Sequence, residues 1–326
     1  MLHVGVLYTR SGTGEVDEKM DRETFEKENI TAAAIEHALE KGGHRVTMIP
    51  ATLNLLQDIT ENKDLDIVFN ACTGIHSKSE QANVVAMLEL TGIPFIGSGL
   101  STHILGLHKE ISKRLFTTYG IPTPKFQAFI TGDEPVDPNL RYPLIVKPEH
   151  EGSSAGIDKA SVVFEEDGLK ERVRMIISQF QQPALVEEFI VGREFTIGVI
   201  GNDKPVVLPI QETVYTKDEE YGVMSDQMKS EDDLILVCPA KIDRETEEQM
   251  GEYAKKIYTA LDCKDYARMD VRMDAEGRLY FIDINTLPGL RPNFSDFPNV
   301  ATKGGYDYDG LINEILNLAV ERSGKD

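Results

Sequence analysis

The run Ala267-Arg-Met-Asp-Val-Arg-Met-Asp-Ala-Glu-Gly-Arg-Leu-Tyr-Phe-Ile-Asp-Ile-Asn-Thr-Leu-Pro-Gly289 constrains this chain more tightly than any other stretch. Val271, Met273, Tyr280, Ile282 and Ile284 alternate with polar residues at the period of two of half-buried strands. Ala275-Glu-Gly-Arg278 supplies the turn between them. If Asp274 pairs with Leu279 across that loop, Asp270 lies opposite Asp283 and Arg268 opposite Asn285. One face then carries Arg268, Asp270, Arg272, Asp283 and Asn285. Two carboxylates and an amide oxygen gathered in this way repel each other unless a cation lies between them. Oxygen-only ligands suit Mg²⁺, which keeps waters and phosphate oxygens as its remaining ligands. The competing reading is an exposed hairpin whose carboxylates pair with the two arginines. Asn285 on the same face and the rigid Thr-Leu-Pro-Gly turn weigh toward the metal.

The 326 residues allow two or three domains with cores of ordinary size. Apolar residues make up 41% and charged residues 27%, a globular rather than a disordered composition. A net charge of −21 repels phosphate backbones, which argues against a nucleic-acid partner and requires any phosphate site to be locally basic or metal-filled. Cys72, Cys238 and Cys263 lack metal-ligand spacing and read as reduced, mostly buried thiols of a cytoplasmic protein. The start reads as a short strand without a basic leader, so no signal peptide is expected. No apolar run approaches the roughly 18 residues of a membrane span.

Strand and helix signals alternate through the N-terminal third, as in an open parallel α/β sheet. Strands are expected at residues 3–8, 44–50, 66–70 and 94–97, helices at 30–41 and 80–91, and a charged loop or helix start at 15–28. From about residue 108 the pattern becomes α+β. A helix at 109–119 stops at Gly120 and the Pro122/Pro124 pair, and strands follow at 125–130, 142–147 and 160–164. Next come a helix at 165–182, strands at 185–190, 194–200 and 206–211, and a long polar stretch at 212–233. An amphipathic helix at 244–261, the acidic hairpin and a helix at 308–322 close the chain. The expected organisation is an N-terminal α/β domain over 1–107, a small central lobe over 108–186 and a C-terminal lobe over 187–326.

Ile145-Val-Lys-Pro-Glu-His-Glu-Gly-Ser-Ser-Ala-Gly156 joins a buried strand, a lysine at its end and a loop of small residues. The lysine is a point charge suited to nucleotide phosphates, and the loop's backbone N–H groups can approach the same oxygens. Gly/Ser loops are more often plain turns, so this feature alone is weak. Val186-Glu-Glu-Phe-Ile-Val-Gly-Arg-Glu-Phe195 sets acidic residues at a strand junction, where Glu187 could meet an adenine edge and Glu194 a ribose hydroxyl. Ordinary strand-end carboxylates would read the same way.

Taken in order with Gly92-Ile-Pro-Phe-Ile-Gly-Ser-Gly99, His108-Lys-Glu-Ile-Ser-Lys-Arg-Leu115, Cys238-Pro-Ala240 and the hairpin, these segments resemble the ATP-grasp superfamily, specifically the D-alanine–D-alanine ligase family. The resemblance spans about residues 66–290. It implies a three-lobed ATP-grasp fold, α/β and α+β, that begins with an open parallel sheet and holds ATP between the central and C-terminal sheets. Lys109 and Lys147 would bind the phosphates, and Glu151, Gly152, Ser153 and Ser154 would close over them. Glu187 would read adenine and Glu194 ribose, with Glu188 and Ile190 beside them around the nucleotide. Asp270, Asp283 and Asn285 would hold Mg²⁺, although the family has Glu where this chain has Asp283. Arg268, the Gly289 N–H and Ser154 would be catalytic, Arg268 by stabilising charge that develops in the transition state. Such ligases make an acyl phosphate that an amine displaces, so water must be kept out. The stretch 212–233, with Tyr215, Tyr221 and Lys229, is the expected cover, with Lys229 at the substrate. A solvated surface loop is the alternative.

Departures from the family fall on the amino-acid side. The family's His-Gly pair after the third strand is Thr73-Gly74 here. Its Ser-x-Glu segment corresponds to Ser11-Gly-Thr-Gly-Glu15 followed by an insertion, so Glu15 takes the ammonium role in the strand register and Thr24 in the helix register. A Ser-Leu pair after Pro288-Gly289 is replaced by a segment in which Arg291 would take a substrate carboxylate and Ser295 would keep part of the older role. The expected activity is ATP- and Mg²⁺-dependent amide formation between two amino acids at a remodelled acceptor site. The alternatives are an inactive ATP-binding sensor or scaffold, or a small-molecule kinase. Expected partners are small amino acids, with neither nucleic acid nor membrane, and the family's habit implies a homodimer.

Overall fold

The chain folds into three sheets, one parallel and two antiparallel. The computed structural model describes residues 1–9, 22–62, 64–75, 80–152, 155–216 and 234–324, the side chains of residues 22–24 excepted. The first segment runs β1 (His3–Tyr8), α1 (Arg22–Glu28), α2 (Ile30–Lys41), β2 (Arg45–Pro50), α3 (Leu55–Glu61), β3 (Ile67–Ala71) and α4 (Gln81–Thr91). Its sheet is parallel with order β2-β1-β3, and Val4, Val6, Val68 and Phe69 are fully buried, as in strands covered on both faces. The fourth strand expected at 94–97 is reduced to a single bridge between Val68 and Phe95. Pro94 has no N–H to donate, and Gly97 leaves strand geometry at φ +96°.

Helices α5 (Leu100–Leu107) and α6 (Lys109–Thr118) lead into β4 (Phe126–Phe129), β5 (Leu144–Pro148), β6 (Val162–Val163), α7 (Glu166–Phe180) and β7 (Ala184–Glu188). These strands form an antiparallel sheet of order β4-β7-β5-β6. Val146, Leu169, Val173, Ile176 and Val186 pack between it and α7. Strand β7 continues to Glu188, past the lobe boundary expected at residue 186.

The third sheet contains β8 (Arg193–Ile200), β9 (Val206–Val207), β10 (Gln211–Tyr215), β11 (Leu234–Val237), β12 (Tyr266–Met273) and β13 (Leu279–Asn285), with α8 (Arg244–Ala260) before the hairpin. Its order is β11-β10-β8-β12-β13, with β9 beside β8. The strand expected at 206–211 ends early and a new one starts at Gln211, separated by Pro209, which cannot donate to a ladder. The polar stretch from 212 was expected as loop; its start is strand β10 instead, paired with β8 and β11, with Gln211 and Thr213 buried. Tyr221 and Lys229 lie outside the described residues. Helices α9 (Asp296–Lys303) and α10 (Tyr308–Ser323) close the chain. Ile312, Ile315 and Leu316 share one core with Ile35, Leu39, Tyr266 and Phe297, so the last helix joins the first and third sheets. No helix among the described residues is long and apolar enough to cross a membrane.

Candidate active site

The hairpin brings Asp270 opposite Asp283 and Arg268 opposite Asn285, as the sequence predicts, but by a different route. Next to the turn Met273, not Asp274, pairs with Leu279, and a bulge at Ile282 restores the register before Asp283. The burial pattern carries the same slip. Leu279, Phe281 and Ile284 enter the core, while Ile282 lines the site cavity. Tyr280, also expected on the alternating apolar face, donates its hydroxyl to Asp274 at 3.3 Å.

A cluster of lysines and acids meets Asp283 from the central lobe. Lys147, at the end of β5, lies 2.9 Å from Glu187 of β7 and 3.2 Å from Asp283 of β13. Lys113 of α6 lies 3.2 Å from the same Glu187 and donates to Thr123 Oγ1 at 3.0 Å. Lys109 Nζ donates to the carbonyl oxygens of Glu149, at 3.3 Å, and Glu151. Lys113, Lys147 and Glu187 are 0%, 3% and 1% exposed, so none can lose its partner cheaply. Burial pulls Lys109 and Lys113 below the usual lysine range despite nearby acids. Burial also disfavours the charge on Lys147, but Asp283 and Glu187 together outweigh it and raise that lysine. For Asp283, burial opposes ionisation, yet Lys147, Lys109 and Lys113 hold it below the usual carboxylate range.

At the other end, Arg268 bridges Asp270 at 3.0 Å and Asp296 at 3.1 Å, and Asp296 also accepts from Gln211 Nε2 at 2.9 Å. Burial raises the Asp270 carboxyl; Arg268 opposes the rise, while Asp296 and Asp283 add to it. Asn285 Nδ2 is 3.4 Å from Asp270 Oδ2, and rotating the amide would present its oxygen instead. This all-oxygen, anion-crowded donor set fits Mg²⁺, because a divalent ion would relieve the repulsion felt by Asp270. Arg268 Nε is buried without a hydrogen-bond partner among the described residues, leaving a donor for a ligand. The arginine pairs of the competing hairpin reading do form, Arg268–Asp270 and Arg272–Glu194 at 2.6 Å, but in a partly buried cleft rather than on an exposed face.

Glu194 accepts from Arg272 and, at 2.9 Å, from the Tyr215 hydroxyl. Its expected ribose contact must therefore share a carboxylate already in use. Glu187, expected at adenine, has its carboxylate between Lys113 and Lys147. Arg272 also donates to the Ile190 carbonyl at 2.9 Å and stacks 4.5 Å above Phe189, bracing the wall formed by Glu188, Phe189 and Ile190. Lys109, Lys147, Glu151, Gly152, Glu187, Glu194, Arg268, Asp270, Asp283 and Asn285 line the same cavity. Gly156 has φ +73°, and a Cβ there would come within 2.7 Å of Phe180 and 2.8 Å of Pro148, so only glycine closes this loop. Ser153 and Ser154 lie outside the described residues.

Thr73 borders this cavity and a second one, which Gly289, Arg291 and Ser295 line from the opposite side. The Thr73 N–H donates to Thr9 Oγ1 at 3.1 Å. Ser295 Oγ accepts the Arg291 N–H at 3.2 Å, and a Cβ on Gly289 would sit 2.8 Å from that oxygen. The Arg291 guanidinium lies 4.6 Å over Phe294 and is exposed. Glu15 lies outside the described residues, as does the side chain of Thr24. Sequence reasoning missed Lys113 and Asp296. Lys113 had a signal, since it follows Lys109 by one helical turn on the same face; Asp296 had none.

The family model described as D-ala D-ala ligase C-terminus matches residues 115–317. An uncharacterized protein of Sinorhizobium fredii is 34% identical over 306 residues, covering 89% of this chain and 88% of that one. The D-alanine–D-alanine ligase of Carboxydothermus hydrogenoformans is 32% identical over 300 residues, covering 89% and 93%. The D-alanine–D-alanine ligase from Bacillus anthracis, solved with ATP, superposes with a TM-score of 0.77 at 24% identity over 100% of this chain and 99% of its own. That last likeness establishes the ATP-grasp fold, and the family match with the Carboxydothermus relative goes further: the chain belongs to the D-alanine–D-alanine ligase family of ATP-dependent carboxylate–amine ligases.

Proposed function

We propose that this protein joins two amino acids through an amide bond, using ATP and Mg²⁺, at an acceptor site that differs from the family pattern at Thr73, Arg291 and Ser295. The observation that carries this reading is the single cavity in which Lys109, Lys147, Arg268, Asp270 and Asp283 converge from three parts of the chain. Bound ATP supplies the phosphoryl group that activates a carboxylate, and bound Mg²⁺ neutralises phosphate charge. Asp270, Asp283 and Asn285 are the oxygen donors for that ion. Lys109 and Lys147 bind phosphate oxygens, Lys147 held in place by Glu187 and Asp283. Arg268, oriented by Asp270 and Asp296, directs a fixed positive charge at the reacting groups. Glu188 and Ile190 border the nucleotide, with Glu194 close to its sugar. On the acceptor side, Arg291 pairs with a substrate carboxylate and Thr73 sits at the junction of the two cavities.

The test is phosphate release and product analysis with ATP, Mg²⁺ and pairs drawn from a panel of D- and L-amino acids, D-alanine included. A dipeptide formed together with phosphate supports the proposal. A stable phosphorylated product without an amine requirement would make the protein a kinase, and tight ATP binding without turnover on any pair would make it a sensor.

A further inference from the structure

Outside this machinery, His108 at the junction of α5 and α6 faces Glu149 and His150, which directly follow β5. Among the described residues these are the one group of three such side chains close enough to share an ion, with their donor atoms all within 4.8 Å of one another. Glu149 is 3% exposed. One of its oxygens accepts the Glu110 N–H at 2.9 Å. The other, Oε2, is buried and makes no well-formed hydrogen bond among the described residues, although His108 Nδ1 lies 3.4 Å away and His150 Nε2 is closer still. A carboxylate oxygen enclosed in this way is costly unless a donor or a cation meets it. Two imidazole nitrogens face it at distances that a single ion can span. Both rings are about a third exposed, which leaves a path from solvent and an open coordination position.

We propose that His108, Glu149 and His150 bind a borderline divalent transition metal, with solvent as the fourth ligand. Two imidazole nitrogens and one carboxylate suit Zn²⁺ and disfavour Mg²⁺, so the site is chemically distinct from the oxygen donors of Asp270 and Asp283. The bound ion ties Glu149 and His150, just before Glu151, to the start of α6. Lys109 already donates to the carbonyls of Glu149 and Glu151 there. Metal occupancy therefore stiffens the base of that loop.

The experiment is equilibrium dialysis of the full chain, stripped with a chelator, against Zn²⁺ in excess Mg²⁺, together with visible absorption of the Co²⁺-loaded protein. The wild type should take up a single Zn²⁺ per chain and show tetrahedral Co²⁺ bands. The His108→Ala/His150→Ala variant should lose the bands and bind more than about tenfold more weakly, the minimum expected when a ligand itself is removed. Hydrogen exchange over residues 149–152 should slow with Zn²⁺ in the wild type only. His150→Gln serves as a second variant if the double variant does not fold. Uptake unchanged in these variants, uptake abolished by Asp270→Asn instead, or no uptake in excess Mg²⁺ would each overturn the proposal.

Discussion

The two cavities that meet at Thr73 are built in opposite ways. On the proposed nucleotide side, two largely buried cations each hold two acids: Lys147 touches Glu187 and Asp283, and Arg268 touches Asp270 and Asp296. Those partners stand on β5, β7, β12, β13 and the start of α9, so rigid elements set their positions. On the proposed acceptor side, Arg291, Phe294 and Ser295 belong to the loop between β13 and α9, and the Arg291 guanidinium lies over an exposed aromatic ring. The difference teaches where change is tolerated. Removing one member of the first set strands a buried charge, whereas loop side chains can be exchanged with little effect on the core. Rigidly held charges and exchangeable loop side chains therefore occupy neighbouring cavities.

The contrast can be broken by mutation. Lys147→Met should have the largest effect, costing about 3–5 kcal/mol because Glu187 and Asp283 lose their common cation; urea unfolding measures it. A loss comparable to that of a surface substitution would mean the cluster does not hold the lobes together. Asp270→Asn should lower kcat by roughly 10²–10³-fold, the scale of losing a major electrostatic contact. Its melting temperature should hold or rise, unlike that of Lys147→Met, since burial, Asp296 and Asp283 all disfavour the Asp270 charge and Arg268 keeps Asp296 as its partner. Near-normal turnover would remove the metal assignment. Arg291→Ala should raise the KM of an amino acid by about tenfold, or 1.4 kcal/mol, while the KM for ATP stays put. Equal effects on both constants would place Arg291 outside the acceptor site. Smallest of all, the stability of Arg291→Ala should stay within about 0.5 kcal/mol of the wild type.

Much of the site was legible along the chain. The helix at 30–41 and the strand at 3–8 have the bounds expected of them, because their apolar periodicity is strong and local. The acidic pairing in the hairpin was legible too, since alternation ties side-chain direction to position. The bulge at Ile282 was not legible, because Ile282 is apolar and keeps the alternation unbroken; only the burial pattern, with Ile282 and Asp283 both off the core, shows it. Strand β10 was hidden because Gln211 and Thr213 are polar, and they are buried only by the strands beside them.

By itself the sequence determined the strongly periodic elements, such as the strand at 3–8 and the helix at 30–41, and which groups can carry charge to a phosphate or a metal, since both depend on neighbours a few residues away. Tertiary structure alone decided which charges pair. Lys113 and Lys147 converge on Glu187, Asp296 reaches Arg268, and Glu194 is claimed by Arg272 and Tyr215. Coulomb energy depends on distance in space and on the surrounding dielectric, and neither can be read along the chain until the sheets have packed.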